Sequence, residues 1–228
     1  MADFVIPPPP QAAIPVVGGG LFPVRRILCV GRNYAAHTRE MGGDPDREDP
    51  FFFAKPADAV VTGGAPMPYP TMTHELHHEM ELVCAIGIGG DDIAETDALR
   101  HVWGYAAGLD MTRRDLQAEA KKAGKPWDMA KGFDHSAPIG DLVPVARCGH
   151  PERGVIELRV NGEIRQSSTF DKMIWSVPET IAYLSRLIAL APGDLIFTGT
   201  PEGVNAVVRG DVLEGRIEGV GTVSTRIA

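Results

Sequence analysis

Glu79 and Glu81 stand two residues apart in the stretch His77-His78-Glu79-Met80-Glu81-Leu82-Val83-Cys84-Ala85-Ile86. From Met80 onward an apolar run, ended by Gly87, predicts a strand. Side chains on a strand alternate between its faces, so the two carboxylates share a face, with His77 on the same row. Two half-buried carboxylates side by side repel one another. Either one takes up a proton or a cation holds both. A hard divalent cation with oxygen ligands, Mg²⁺ or Mn²⁺, is the simplest holder. A polar strand face in water accounts for the same spacing.

Four further groups have side chains suited to chemistry. Asp110 closes the apolar run Trp103 to Leu109. It either caps a helix beginning at Met111 or Thr112, or serves as a third carboxylate beside the glutamate pair. His37 and Glu40 are three apart, so on a helix they meet on one face. They form an incidental ion pair, or a base held by its orienting carboxylate. Lys131, in Met129-Ala130-Lys131-Gly132-Phe133-Asp134, is a surface lysine or a cation aimed at an oxyanion. The loop Thr198-Gly199-Thr200-Pro201-Glu202-Gly203-Val204 is a plain turn, or one whose N–H groups bind an anion.

The elements that must position these residues follow from local patterning. Residues 1–22 form a Pro- and Gly-rich arm in which Ile14 to Val17 predict an edge strand. Arg25 to Val30 and Phe51 to Lys55 read as strands, and Tyr34 to Met41 as a helix stopped by Gly42-Gly43. A charged, breaker-rich loop spans 44–50. Ile93 to Val102 and Thr112 to Lys122 predict helices. Asn161-Gly162 between two β runs predicts a hairpin. Ser176-Val177-Pro178-Glu179 is a capping box that opens a helix to about Leu190. Asp194 to Thr198 and the tail read as strands. The sum is α+β and strand-rich, without regular βαβ alternation.

Composition narrows the function classes. The 228 residues carry a net charge of -8 and no basic stripe, which speaks against nucleic-acid binding. No apolar run reaches the roughly 18 residues of a membrane span, and the N-terminus lacks signal-peptide regions. Three cysteines, Cys29, Cys84 and Cys148, show no metal-ligand spacing. A reducing cytoplasm is expected.

Taken in order, the runs Gly31-Arg32-Asn33-Tyr34-Ala35-Ala36-His37-Thr38-Arg39-Glu40-Met41, Pro50-Phe51-Phe52-Phe53-Ala54-Lys55-Pro56, His77 to Glu81, Gly108 to Gln117, Lys131-Gly132-Phe133-Asp134 and Phe197 to Val204 resemble the fumarylacetoacetate hydrolase family. The resemblance covers roughly residues 22–228. Gly108 to Gln117 and Met173 to Thr180 bring the chain nearest to bacterial members that act on fumarylpyruvate in gentisate breakdown. The resemblance implies a mixed β-sandwich or roll with a few peripheral helices, forming a catalytic domain over residues 23–228. It makes Glu79, Glu81 and Asp110 ligands of Mg²⁺ or Mn²⁺, and His37 and Glu40 a general-base dyad. It makes Lys131 the oxyanion cation, and it puts Arg114, Gln117 and Thr200 against the substrate. Arg32, Tyr34 and Arg113 are candidates for the substrate's far carboxylate. The expected reaction is hydrolysis of a C–C bond in a 2,4-diketo acid, and decarboxylation of oxaloacetate or a related 2-keto acid is the alternative. A homodimer is the expected assembly.

Overall fold

Met80–Ile86 is buried along its whole length, in the interior of a six-stranded sheet. The computed structural model describes residues 4–35 and 48–228. Leu82, Cys84 and Ile86 point into one apolar core, and Val83 and Ala85 into another on the opposite face. Both faces are covered, so the strand reads as a continuous apolar run. The order across the sheet is Val143–Pro144, Val102–Leu109, Met80–Ile86, Asp194–Phe197, Arg26–Gly31, Phe51–Lys55. Its pairings are antiparallel, except that Asp194–Phe197 runs parallel to Arg26–Gly31.

A second, four-stranded antiparallel sheet runs Glu163–Thr169, Val155–Val160, Val212–Ile217, Gly221–Arg226. Its Ile156, Leu158, Val160, Leu213, Ile217 and Val223 share the first core with Leu82, Cys84 and Ile86. The two sheets therefore pack face to face, and helices are peripheral. Asn161 and Gly162, at φ 53° and 81°, make the tight turn that their sequence predicts. Ser176 and Glu179 cap the Val177–Leu187 helix reciprocally.

The N-terminal segment is tied down. Ala13–Pro15 pairs with Leu21–Pro23, and Ile14 and Phe22 are buried in the second core beside Ile27, Cys29 and Ala85. Among the described residues no helix is long and apolar enough to cross a membrane.

Sheet pairing displaces two predicted helices. Only a 3₁₀ segment, Glu95–His101, stands where Ile93 to Val102 predict a helix, because Val102–Leu109 pairs along Met80–Ile86. Thr112–Arg113 pairs with Leu76–His77, so the next helix spans Arg114–Lys122. Asp110 lies four residues before that helix and does not cap it; the N-cap residue is Arg113. The helix predicted over Tyr34 to Met41 lies outside the described residues from position 36 on.

Gly108 sits opposite Glu81 in the ladder. A Cβ there would lie 2.6 Å from Val83 Cγ2 and 2.8 Å from Phe197 Cε1. Gly108→Ala is therefore expected to destabilise the fold by about 1–3 kcal/mol through overpacking. Chemical denaturation would measure this, as a lower midpoint at unchanged slope.

Candidate active site

The acid cluster forms where two antiparallel ladders meet. Met80 pairs with Leu109 on one side and His77 with Thr112 on the other. Between them the Asp110 N–H donates to the Glu79 carbonyl at 2.8 Å. Glu79 thus stands just before the long strand, which starts at Met80 as the sequence pattern predicts. Glu79, Glu81 and Asp110 each offer a carboxylate oxygen within 4.8 Å of the others. They are 5%, 1% and 0% exposed, which excludes a water-facing polar strand.

Among the described residues, Lys131, Lys55 and Arg114 hold this cluster. Lys131 Nζ donates to Glu79 Oε2 at 2.8 Å and to Asp110 Oδ2 at 2.7 Å. Lys55 Nζ lies 2.8 Å from Asp110 Oδ1 and donates to the carbonyl of Met111 at 3.1 Å and to that of Lys131. Arg114 pairs with Glu79 through Nη2 and donates to Gln117 Oε1 through Nη1. Its Nε also donates to His77 Nδ1 at 3.4 Å. Burial, then the Arg114 guanidinium, lowers the His77 pKa to about 4, so the imidazole is neutral and can accept that bond.

Glu81 is held differently. Its Oε2 accepts from the Gly199 N–H at 2.7 Å. Gly199, at φ 93°, lets the loop turn there, and a Cβ would lie 2.7 Å from Asn33 Cβ. Burial, followed by the Asp110 and Glu79 charges, pushes the Glu81 carboxyl well above the usual carboxylate range. Burial works against charge on Lys131, but Asp110 and Glu79 together outweigh it and raise its pKa. It stays an ammonium.

The donor set fits a hard divalent cation. Three buried carboxylates converge, and Glu81 is destabilised as an anion by the very neighbours that would share the ion. Glu79, Glu81 and Lys131 face a cavity of about 420 Å³ whose wall also includes Arg32, Arg114, Gln117, Thr200, Phe53 and Trp127. Phe53 packs against Trp127 and lies 5.0 Å below the Lys131 ammonium.

Most of the residues singled out in the sequence thus meet in one place. Tyr34 and Arg113 do not line this cavity. Tyr34 is buried and bridges Met173, and Arg113 stacks over Phe133 and donates to the Met129 carbonyl. His37 and Glu40 lie outside the described residues.

The sequence reading missed two residues. Lys55 ends the apolar Phe51 to Ala54 run and is the buried residue of a strand otherwise half-buried or exposed; a lysine closing an apolar run was the available signal. Gln166 stands on the second sheet, 1% exposed. Its Oε1 accepts from Met80 N–H and faces His78 Nδ1, both at 3.0 Å. Its Nε2 donates to Thr200 Oγ1 and to the Pro201 carbonyl, both at 2.9 Å. Thr200 Oγ1 in turn donates to the Met80 carbonyl at 2.8 Å. One side chain thereby joins the acid strand, the Thr198 to Val204 loop and the second sheet. Gln166→Leu leaves several buried groups unpaired and should cost about 2–4 kcal/mol. Gln166→Glu keeps the acceptor toward Met80 but buries a carboxylate with one oxygen against the Pro201 carbonyl, so it should cost at least as much. Urea unfolding of both variants checks the order.

Comparison with known proteins gives a consistent picture. The family description "Fumarylacetoacetate (FAA) hydrolase C-terminal" matches residues 26–228. A fumarylpyruvate hydrolase of Ralstonia sp is 48% identical over 184 residues, 81% of this chain and 95% of that protein. A mitochondrial oxaloacetate tautomerase of Rattus norvegicus is 45% identical over 196 residues, 86% of this chain and 88% of its own. Among solved structures, fumarylpyruvate hydrolase from Pseudomonas aeruginosa in complex with Mn²⁺ and pyruvate superposes with a TM-score of 0.97. It is 54% identical, and the match covers 99% of each chain.

Proposed function

The chain belongs to the fumarylacetoacetate hydrolase family, and we propose that it hydrolyses a C–C bond in a 2,4-diketo acid, fumarylpyruvate giving fumarate and pyruvate. The observation that carries this reading is the buried Glu79–Glu81–Asp110 cluster opening on a cavity with Lys131 seated between two of the acids. The fumarylpyruvate hydrolases at 48% and 54% identity support the choice of acyl group.

Bound at the three carboxylates, Mn²⁺ or Mg²⁺ would supply a Lewis acid and a template for the 2-keto acid end of the substrate. Arg114, Gln117 and Thr200, on the cavity wall, orient that end. His37, oriented by Glu40, takes a proton from water as the hydroxyl oxygen adds to the C4 carbonyl. The Lys131 ammonium stabilises the alkoxide that forms. When the alkoxide carbonyl re-forms, the C3–C4 bond breaks and its electron pair stays on C3 as pyruvate enolate. The acyl carbon leaves as fumarate, and the protonated His37 returns its proton to C3. The roles of His37 and Glu40 rest on the family resemblance. So do a homodimeric assembly, a cytoplasmic location and a place in gentisate breakdown.

A second reading takes oxaloacetate as the substrate, and the oxaloacetate tautomerase at 45% identity favours it. Enolisation or decarboxylation there uses the same enolate but needs no attacking water.

A paired assay separates the readings. Chelator-sensitive loss of fumarylpyruvate, much faster than conversion of oxaloacetate, is expected; the reverse ratio would move the chain to the oxaloacetate reading. Glu81→Gln should weaken Mn²⁺ binding by at least about 100-fold, since even groups outside the ligand set typically contribute 10–100-fold. Isothermal titration measures it without reference to turnover. Lys131→Met should lower kcat on fumarylpyruvate by about 10²–10³-fold, and the same titration should show Mn²⁺ affinity that does not fall.

A further inference from the structure

One stripe of the Arg114–Lys122 helix forms a wall of the active-site cavity: Arg114, Gln117, Ala118, Lys121 and Lys122. The spacing i, i+3, i+4, i+7, i+8 is that of a single helical face. The stripe grades along its length. Arg114 and Gln117 are buried against the acids, whereas Ala118, Lys121 and Lys122 are exposed at the outer end. Trp127 also lines the cavity, its ring packed by Phe51 and Phe53.

The helix measures a distance. At a rise of about 1.5 Å per residue, Lys121 stands roughly 10 Å further along the wall than Arg114. An extended seven-carbon diacid has six C–C bonds of about 1.5 Å, which in zigzag span roughly 8 Å. A charged hydrogen bond at the far end adds about 3 Å. A substrate held at its keto acid end beside Arg114 thus brings a second carboxylate to Lys121 and Lys122. Charge supports the same placement. The inner cations Arg114 and Lys131 are engaged with Glu79 and Asp110, and Lys121 and Lys122 add two further positive charges to the cavity lining at its outer end.

We propose that Lys121 and Lys122 form a subsite for the distal carboxylate of the substrate, giving dicarboxylic 2,4-diketo acids preference over those with an uncharged acyl end. The inference rests on the diketo-acid reading above and adds a specificity element to it. Lysines in a last helical turn also complement the helix dipole, but that effect concerns stability and would alter both kinds of substrate alike.

The test compares kcat/KM for fumarylpyruvate with kcat/KM for acetylpyruvate, which ends in a methyl group, using Mn²⁺-loaded full-length chain. In Lys121→Ala/Lys122→Ala the ratio of the two should fall at least about tenfold, as expected for losing charged hydrogen bonds, and chiefly through KM for fumarylpyruvate. Lys121→Arg/Lys122→Arg should restore it. Added salt should lower the wild-type ratio, because the subsite is solvent-exposed. An unchanged ratio in the double alanine variant would overturn the inference. So would a fall seen only in Arg32→Ala, which would assign the distal carboxylate to Arg32 instead. Wild-type chain that turns over neither diketo acid would overturn the reaction itself, and this subsite with it.

Discussion

Three carboxylates buried within 4.8 Å of one another are the constraint around which this molecule is built. Left alone they would not stay ionised, since taking one carboxylate out of water is costly and three neighbours compound the repulsion. The fold meets this with cations delivered from separate parts of the chain. Lys55 comes from an edge strand of the large sheet, Lys131 from a short helix and Arg114 from the start of a longer one. Glu79 and Asp110 receive these cations directly, and Glu81 is held by a backbone amide. The unevenness leaves one acid under pressure to share a further positive charge, a useful property in a site that takes up a metal ion.

The position of the acids follows from the pleat. Val83 and Ala85 extend the Glu81 side of the strand into the second core, while the alternate residues fill the core between the sheets. The chemistry occurs where an otherwise apolar face runs out at the strand's end. Glycine at position 108 keeps the neighbouring strand free of a side chain opposite Glu81. Gln166, reaching from the second sheet, fixes the strand's first residue and the Thr200 loop together. The acids stand on or beside two strands of the six-stranded sheet, and a side chain from the four-stranded sheet fixes their position.

Legibility from sequence was uneven, for physical reasons. The strand after Met80, the Asn161-Gly162 turn and the Ser176–Glu179 capping box are local signals, and each appears where the pattern places it. The carboxylate spacing was visible, but not its burial, because a strand alternating Glu with apolar residues looks the same on a wet face. Asp110 was ambiguous because Thr112 and the residues after it resemble a helix start. A two-residue pairing with Leu76–His77 delays the helix to Arg114 and removes Asp110 from any capping role. The six ordered motifs carried what local patterns could not. Lys55 lay within one of those motifs without being singled out, and Gln166 lay outside them all, since its partners are 34 to 88 residues away.

The same remoteness bears on how the protein is made. Lys131 reaches Glu79 across 52 residues, Gln166 reaches Met80 across 86, and Gly199 reaches Glu81 across 118. Contacts so far apart close slowly, after the entropy of long loops has been overcome. Synthesis proceeds from the N-terminus, so the acids leave the ribosome long before the loop that braces Glu81 exists. During that interval the carboxylates are hydrated and weakly attractive to metal. The nascent chain therefore passes through a stage with the ligands but without the pocket, and the competence to capture an ion is acquired only after the loop around Gly199 has been made.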